Sequence, residues 1–296
     1  MARASCNGIE IEYETTGAPG AEPVVLIMGL ASQLIGWTEP FCEALAGRGH
    51  FVVRFDNRDV GLSTKLDGAE HDSVLDAMRN AAAGVPVKAP YLLRDMAADT
   101  AGLLDALGLE RAHVVGASMG GMIAQTLAIE LPERVASLVS IMSTTGAPGL
   151  PGPRPEALRV LLSAPPASRE QAIAQALAAW RTIGSPGFPF DEARIRERAA
   201  RSWDRCHHPA GVARQLVAIT ASGSRREALR GVRAPTLVIH GEDDPLVPLA
   251  CGRDTAQAIP GARALFLPGM GHDLPVELYD TLVDAIARHA AAHPVR

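Results

Sequence analysis

The chain has 296 residues, 47% of them hydrophobic, and a net charge of −5, which is apolar material enough for one large α/β domain or a domain carrying an insertion. Its basic residues are scattered rather than clustered, and that argues against nucleic acid or an anionic membrane surface as partner. No stretch approaches the roughly 18 uninterrupted apolar residues of a membrane span, and the opening MARASCNGIEIEYETTG has no apolar core behind its arginine, so a soluble, cytoplasmic chain is expected.

Ile9 to Tyr13 alternates as a strand does, Gly17 to Pro23 reads as a turn, and Val24 to Ile27 is a fully apolar strand ending at Met28-Gly29. A loop carrying Trp37 leads to a helical stretch from Pro40 to Ala46 and then to the strand Phe51 to Phe55. Between Tyr91 and Leu109 the positions Leu92, Leu93, Met96, Thr100, Leu103, Leu104 and Leu107 follow helical spacing, closed by Gly108. Ala112 to Val115 is a short strand, an Ala-rich helix follows it as far as Leu131-Pro132, and Val135 to Ile141 is another strand. Strands alternating with helices imply parallel pairing through right-handed crossovers.

That rhythm stops at Ser143. From 144 to 230 the chain is punctuated by Pro and Gly and is otherwise helical, most clearly over Gln171 to Arg181 and Asp191 to Trp203. It resumes with a buried strand, Pro235 to Ile239, a helix near Ala250 to Ala258, the strand Ala264 to Leu267 and a terminal helix from about Val276. A helical insertion between two strands of one sheet reads as a cap over the edge where open α/β sheets bind ligands. Trp180, Phe188, Phe190 and Trp203 concentrate there in a chain only 4% aromatic; they line a pocket or form the cap's own small core.

Between the strand at 112 and the helix after it stands Gly116-Ala117-Ser118-Met119-Gly120, of the form G-x-S-x-G. A sharp strand-to-helix turn exposes the serine, and the flanking glycines let strand and helix pass without a Cβ clash. A serine hydroxyl needs a base, and the base needs a carboxylate that holds its tautomer. His272 follows the strand at 264 directly, in Pro268-Gly269-Met270-Gly271-His272; His240, at the end of a buried strand, competes with it. The loop after Ile141 holds no carboxylate, whereas the one after Ile239 reads Gly241-Glu242-Asp243-Asp244-Pro245. Asp244 is preferred because the following proline and apolar step return its side chain across the sheet edge, and Asp243 is the alternative. An oxyanion requires donors already in place, which the Met119 amide at the helix start and the Leu30 amide beyond Gly29 can supply. A mostly apolar pocket is expected from Leu30, Trp37, Met119, Met142 and the cap aromatics. The four cysteines are far apart and read as reduced thiols, His207-His208 reads as a solvated turn, and the chemistry needs neither metal nor cofactor.

With these motifs the chain resembles the α/β-hydrolase family over nearly its whole length. Asp56-Asn57-Arg58-Asp59-Val60-Gly61-Leu62-Ser63 is similar to that family's D-x-R-G-x-G-x-S loop, with Asp59 at the usual glycine. Met28 stands where most members have histidine. That methionine, with Gly36-Trp37, Trp180-Arg181, Pro189-Phe190-Asp191 and Pro268-Gly269-Met270-Gly271-His272, resembles the branch that includes aclacinomycin methylesterase, and Gly29 joins the expected pocket residues. The resemblance implies a mostly parallel sheet flanked by helices, with a core of 1–143 and 231–296 and a helical cap, 144–230, inserted after the sixth strand. It implies a serine esterase in which Ser118, Asp244 and His272 act as nucleophile, acid and base, with Leu30 and Met119 as the oxyanion hole. The expected partner is a small-molecule ester, with the chain a monomer or homodimer. Rivals are a lactonase or enol-lactonase, a C–C bond hydrolase with the same triad, and a ligand receptor on the same fold.

Overall fold

The computed structural model describes residues 2–295. In chain order the elements are β1 (Ala2–Cys6), β2 (Ile9–Thr16), β3 (Glu22–Ile27), α1 (Glu39–Ala46), β4 (His50–Phe55), α2 (Val74–Ala82), α3 (Leu93–Ala106), β5 (Ala112–Ala117), α4 (Met119–Glu130) and β6 (Val135–Ile141). Then come α5 (Pro155–Leu161), α6 (Arg169–Ile183), α7 (Glu192–Arg205), α8 (Pro209–Ser222), α9 (Arg226–Leu229), β7 (Thr236–Gly241), α10 (Leu249–Ala258), β8 (Arg263–Leu267) and α11 (Tyr279–Ala291). The eight strands form one sheet in the order β1-β2-β4-β3-β5-β6-β7-β8. The β1–β2 and β2–β4 pairs are antiparallel and every other pair is parallel.

The apolar runs that form β3, β4, β5, β6 and β7 are strands buried on both faces, whereas edge strand β8 is exposed at its start. In β3, Val25 and Ile27 join one core cluster, with Leu103, Ile123 and Leu127. Val24 and Leu26 join the other, with Phe41, Leu45, Val283 and Ile286. Alternate side chains point to opposite faces of a strand, so a centre strand with helices on both sides reads as continuous rather than alternating hydrophobicity.

Chain direction through the sheet reverses at β3, which has β4 on one side and β5 on the other. Loops leaving the carboxyl ends of two strands that diverge in this way open a crevice, the usual ligand position in such sheets. Here the crevice is flanked by the loop after β3, starting at Met28, and the turn after β5, at Ser118.

Two elements lie outside the sequence reading. β1 carries polar, exposed residues at alternate positions and is fixed by its ladder with β2. With β1 counted, Val135–Ile141 is the sixth strand. Helix α2 buries only Ala77 among its own residues and starts at Ser73, whose hydroxyl accepts the Asp76 amide at 3.1 Å, a cap visible in the sequence as Ser-x-x-Asp. Five helices, α5 to α9, occupy the chain between β6 and β7.

Candidate active site

Ser118 sits between β5 and α4 with φ 56° and ψ −120°, a backbone state that a residue with a Cβ holds only under constraint. The constraint is close packing. A Cβ on Gly120 would lie 2.0 Å from the Ile27 carbonyl oxygen, and one on Gly116 2.1 Å from that of Gly120, so helix and strand cross at a distance only glycine permits. The Ser118 amide donates to the Ile141 carbonyl at 2.9 Å, and the Ser143 hydroxyl donates to the Ser118 carbonyl at 2.8 Å.

Asp244 leaves the end of β7 with its side chain fully enclosed. Oδ1 accepts the Leu246 and Val247 amides at 2.9 and 2.8 Å, and Oδ2 meets Nδ1 of His272 at 2.7 Å. A carboxylate only accepts, so Nδ1 carries the proton and Nε2 is left as an acceptor. Nε2 lies 3.0 Å from Ser118 Oγ, which donates to it. A continuous chain of hydrogen bonds thus runs from a hydroxyl at the end of β5 to a buried carboxylate beyond β7.

The competitors occupy other places. His240 is buried beneath α10 with Nε2 2.7 Å from the Val247 carbonyl, to which it donates, and 3.8 Å from Asp244. Burial lowers its pKa, against the pull of the Val247 carbonyl and the Asp244 carboxylate. Asp243 turns the other way: its Oδ2 accepts the Gly269 amide at 2.9 Å, and its amide donates to the Met270 carbonyl at 3.0 Å. One of two adjacent acids therefore meets the His272 ring while the other holds the His272 loop.

That loop is also held from the far side. The His272 amide donates to the Ile183 carbonyl at the end of α6, the Gly187 amide to the Gly269 carbonyl, and the Gly271 amide to the Ser185 hydroxyl. Nothing in the sequence near 183–187 marks those residues, because the contact joins segments almost ninety residues apart.

The other expected site residues divide. Gly29 abuts the serine: a Cβ there would be 3.1 Å from Ser118 Cβ. Leu30 is half-buried beside it, and Met119 opens α4, where the first amide of a helix has no intrahelical acceptor. Met142 is buried at the end of β6 with φ 42°. Trp180, Phe188 and Phe190 line a cavity of about 430 Å³ together with Arg198, Asp273 and Leu274. It lies beside the His272 loop, and Ser118 is not in its wall. Arg181 stacks on Phe190 and Arg198 on Trp180, at 4.9 and 4.7 Å, and Trp203 stacks on His207. Trp37 corrects the expectation of a pocket-lining side chain. It is 0% exposed and packs against Phe41 at 5.3 Å, in the core cluster that also holds Cys42 and Leu45 of α1. A tryptophan just after a loop glycine looks the same in sequence whether it turns inward or outward.

The model of the α/β hydrolase fold matches residues 22–277, and the chain belongs to that family. Over 95% of its length it is 32% identical to the rhodomycin D methylesterase DauP of Streptomyces sp. strain C5, also covering 95% of that protein. It is 31% identical to DnrP of Streptomyces peucetius, another rhodomycin D methylesterase, with the same coverages. Among solved structures it is similar to the enol-lactonase of Burkholderia xenovorans LB400, with TM-score 0.72, 25% identity and coverage of 97% of this chain and 99% of that one.

Proposed function

We propose that the protein is a cytoplasmic carboxylic-ester hydrolase that works through an acyl-enzyme. The observation that carries this reading is the hydrogen-bonded series Ser118, His272, Asp244 at a strained strand-to-helix turn. Ser118 Oγ attacks the ester carbonyl carbon while its proton passes to His272 Nε2; Asp244 holds the tautomer and stabilises the imidazolium. Charge collects on the carbonyl oxygen, for which the Met119 and Leu30 amides are the donors, the first aided by the positive end of α4. Collapse expels the alcohol, which leaves with the His272 proton. Water then attacks the acyl carbon, His272 takes its proton, and Ser118 leaves with that proton as the acid product is released. Residues 144–230 form a cap that shapes the space above this chemistry, and among the described residues no helix is long and apolar enough to cross a membrane.

The substrate class is a methyl ester of a hydrophobic polycyclic acid, supported by the two methylesterase relatives. A lactone is the second reading, supported by the likeness to an enol-lactonase; the same attack and proton transfers would open a ring ester. One panel tests both: p-nitrophenyl esters of increasing acyl length, methyl esters of polycyclic acids, and lactones. Ser118→Ala is expected to lower ester turnover on the order of 10⁴-fold or more, with an unchanged melting temperature. Near-wild-type turnover in that variant would remove the mechanism, and lactones accepted to the exclusion of esters would move the substrate class.

A further inference from the structure

We infer that Gln215, on α8, is a positioning residue that aims the Leu30 amide at the developing oxyanion, an inference resting on the ester-hydrolase reading above. Gln215 is 0% exposed. Its Oε1 accepts the Ala31 amide at 3.1 Å and its Nε2 donates to the Arg58 carbonyl at 2.9 Å. One side chain thereby ties the loop after β3 to the loop after β4.

The peptide that carries the Leu30 N–H lies between two clamps. On its amino side the Met28 carbonyl accepts Asn57 Nδ2 at 2.9 Å; on its carboxyl side the Ala31 amide is held by Gln215. The carbonyl of that same peptide, Gly29 C=O, accepts the Ser32 amide at 3.2 Å. In a trans peptide the N–H points opposite to the C=O, so the Leu30 N–H is directed away from Ser32. Ala31 has φ 61°, a conformation that alanine holds only where its surroundings impose it. Gln215 provides the hydrogen bond that does so.

Helix α8 is brought close enough by its own spacing. Gly211, one turn before Gln215, meets the core so tightly that a Cβ there would be 2.0 Å from the Asp59 carbonyl oxygen. Arg214, beside Gln215, forks onto Asp59 with bonds of 2.9 and 2.7 Å. Positions i, i+3 and i+4 share a helix face, so Gly211, Arg214 and Gln215 form one contact surface.

Gln215→Met keeps the shape and removes both hydrogen bonds. Gln215→Glu keeps an oxygen to accept the Ala31 amide and, as the neutral acid that full burial favours, a hydroxyl to donate to the Arg58 carbonyl. With p-nitrophenyl butyrate, Gln215→Met is expected to lower kcat roughly tenfold or more with KM within about twofold, and to weaken an alkyl trifluoromethyl ketone, which mimics the tetrahedral adduct, by a similar factor. Gln215→Glu is expected to recover most of both losses. In hydrogen exchange the segment 29–32 should exchange faster in the methionine variant and return toward wild type in the glutamate variant. Should the methionine variant fold poorly, the glutamate variant still decides, because retention of kcat and of protection at 29–32 is required of it. Unchanged kcat and exchange in Gln215→Met, or a loss that Gln215→Glu does not relieve, would overturn the role. If Ser118→Ala keeps its turnover, the hydrolase reading is what fails. Exchange at 29–32 then still decides the clamp: faster exchange in Gln215→Met upholds it and unchanged exchange overturns it.

Discussion

At the scale of single residues, the site turns on how two neighbouring aspartates divide the work. Asp244 faces the ring of His272 and Asp243 faces the backbone of its loop, so equal substitutions should have unequal effects. Asp244→Asn places an amide where an acceptor-only group selected the tautomer, and kcat should fall by about 10⁴-fold with little change in melting temperature. Asp243→Asn keeps an oxygen for the Gly269 amide and should cost about tenfold or less. Steady-state kinetics on the two variants checks this, and equal losses would mean that the acid has been misassigned. Both residues were visible in the sequence as members of one acidic run. The choice between them rested on the proline after Asp244, and the structure adds the reason: the two amides after that proline saturate Oδ1 and leave Oδ2 for the histidine.

At the scale of elements, β5 carries the serine at one end and a buried titratable group near the other. His113 bonds Ser137 Oγ through Nδ1 at 2.8 Å and approaches Glu22 through Nε2 at 3.4 Å. Burial lowers its pKa to about 4; Glu22 pulls the other way, and His50 and His289 add repulsion. Burial also lowers His50 on β4 and His289 on α11. Above pH 6.5 an imidazole is neutral in both folded and unfolded chains, so no difference arises. Below it the unfolded chain takes up a proton that the folded sheet refuses. The histidine contribution to stability should therefore decline from about pH 6.5 toward pH 4, His113 accounting for about 3 kcal/mol of it over that window. His113→Gln should flatten the decline, as read from urea midpoints at pH 7 and pH 5. An unaltered difference between the two midpoints would show that His113 titrates normally.

Across the whole molecule, the helices between β6 and β7 are joined to the sheet loops by buried charge. Arg214 and Asp59 are both almost fully enclosed. Burial by itself would raise the Asp59 carboxyl, but the Arg214 fork and the Leu66 amide outweigh it and hold the group below the usual range. A second tie joins Arg205 of α7 to Asp56 and Gln33 at 2.6 and 2.8 Å. Removing one member of a buried pair strands the other, so Arg214→Met should destabilise by about 3–5 kcal/mol in urea unfolding. Adding Asp59→Gly should return more than half of that, since the stranded charge is gone and glycine suits the φ of 69° at this position. A double variant no more stable than Arg214→Met would mean that the pair is not the cause. In the sequence, Asp59 was visible only as a departure from a glycine motif; its partner lies 155 residues away, beyond any local pattern.

What the chain declares by itself is what repeats locally or is forced by one residue. Apolar runs announce strands buried on two faces, glycines flank a serine where two backbones must cross, and a histidine and an aspartate follow later strands. Such features are legible because each is set by neighbours in sequence, through side-chain period and backbone sterics. The tertiary structure alone decides which side chains meet across the crevice. It sends Trp37 into the core and Trp203 onto His207, seats the stretch after α6 against the His272 loop, and lays Gln215 between two loops of the sheet. Those contacts depend on how helices and strands distant in sequence pack together, and helical periodicity is satisfied equally well by many arrangements of the same faces.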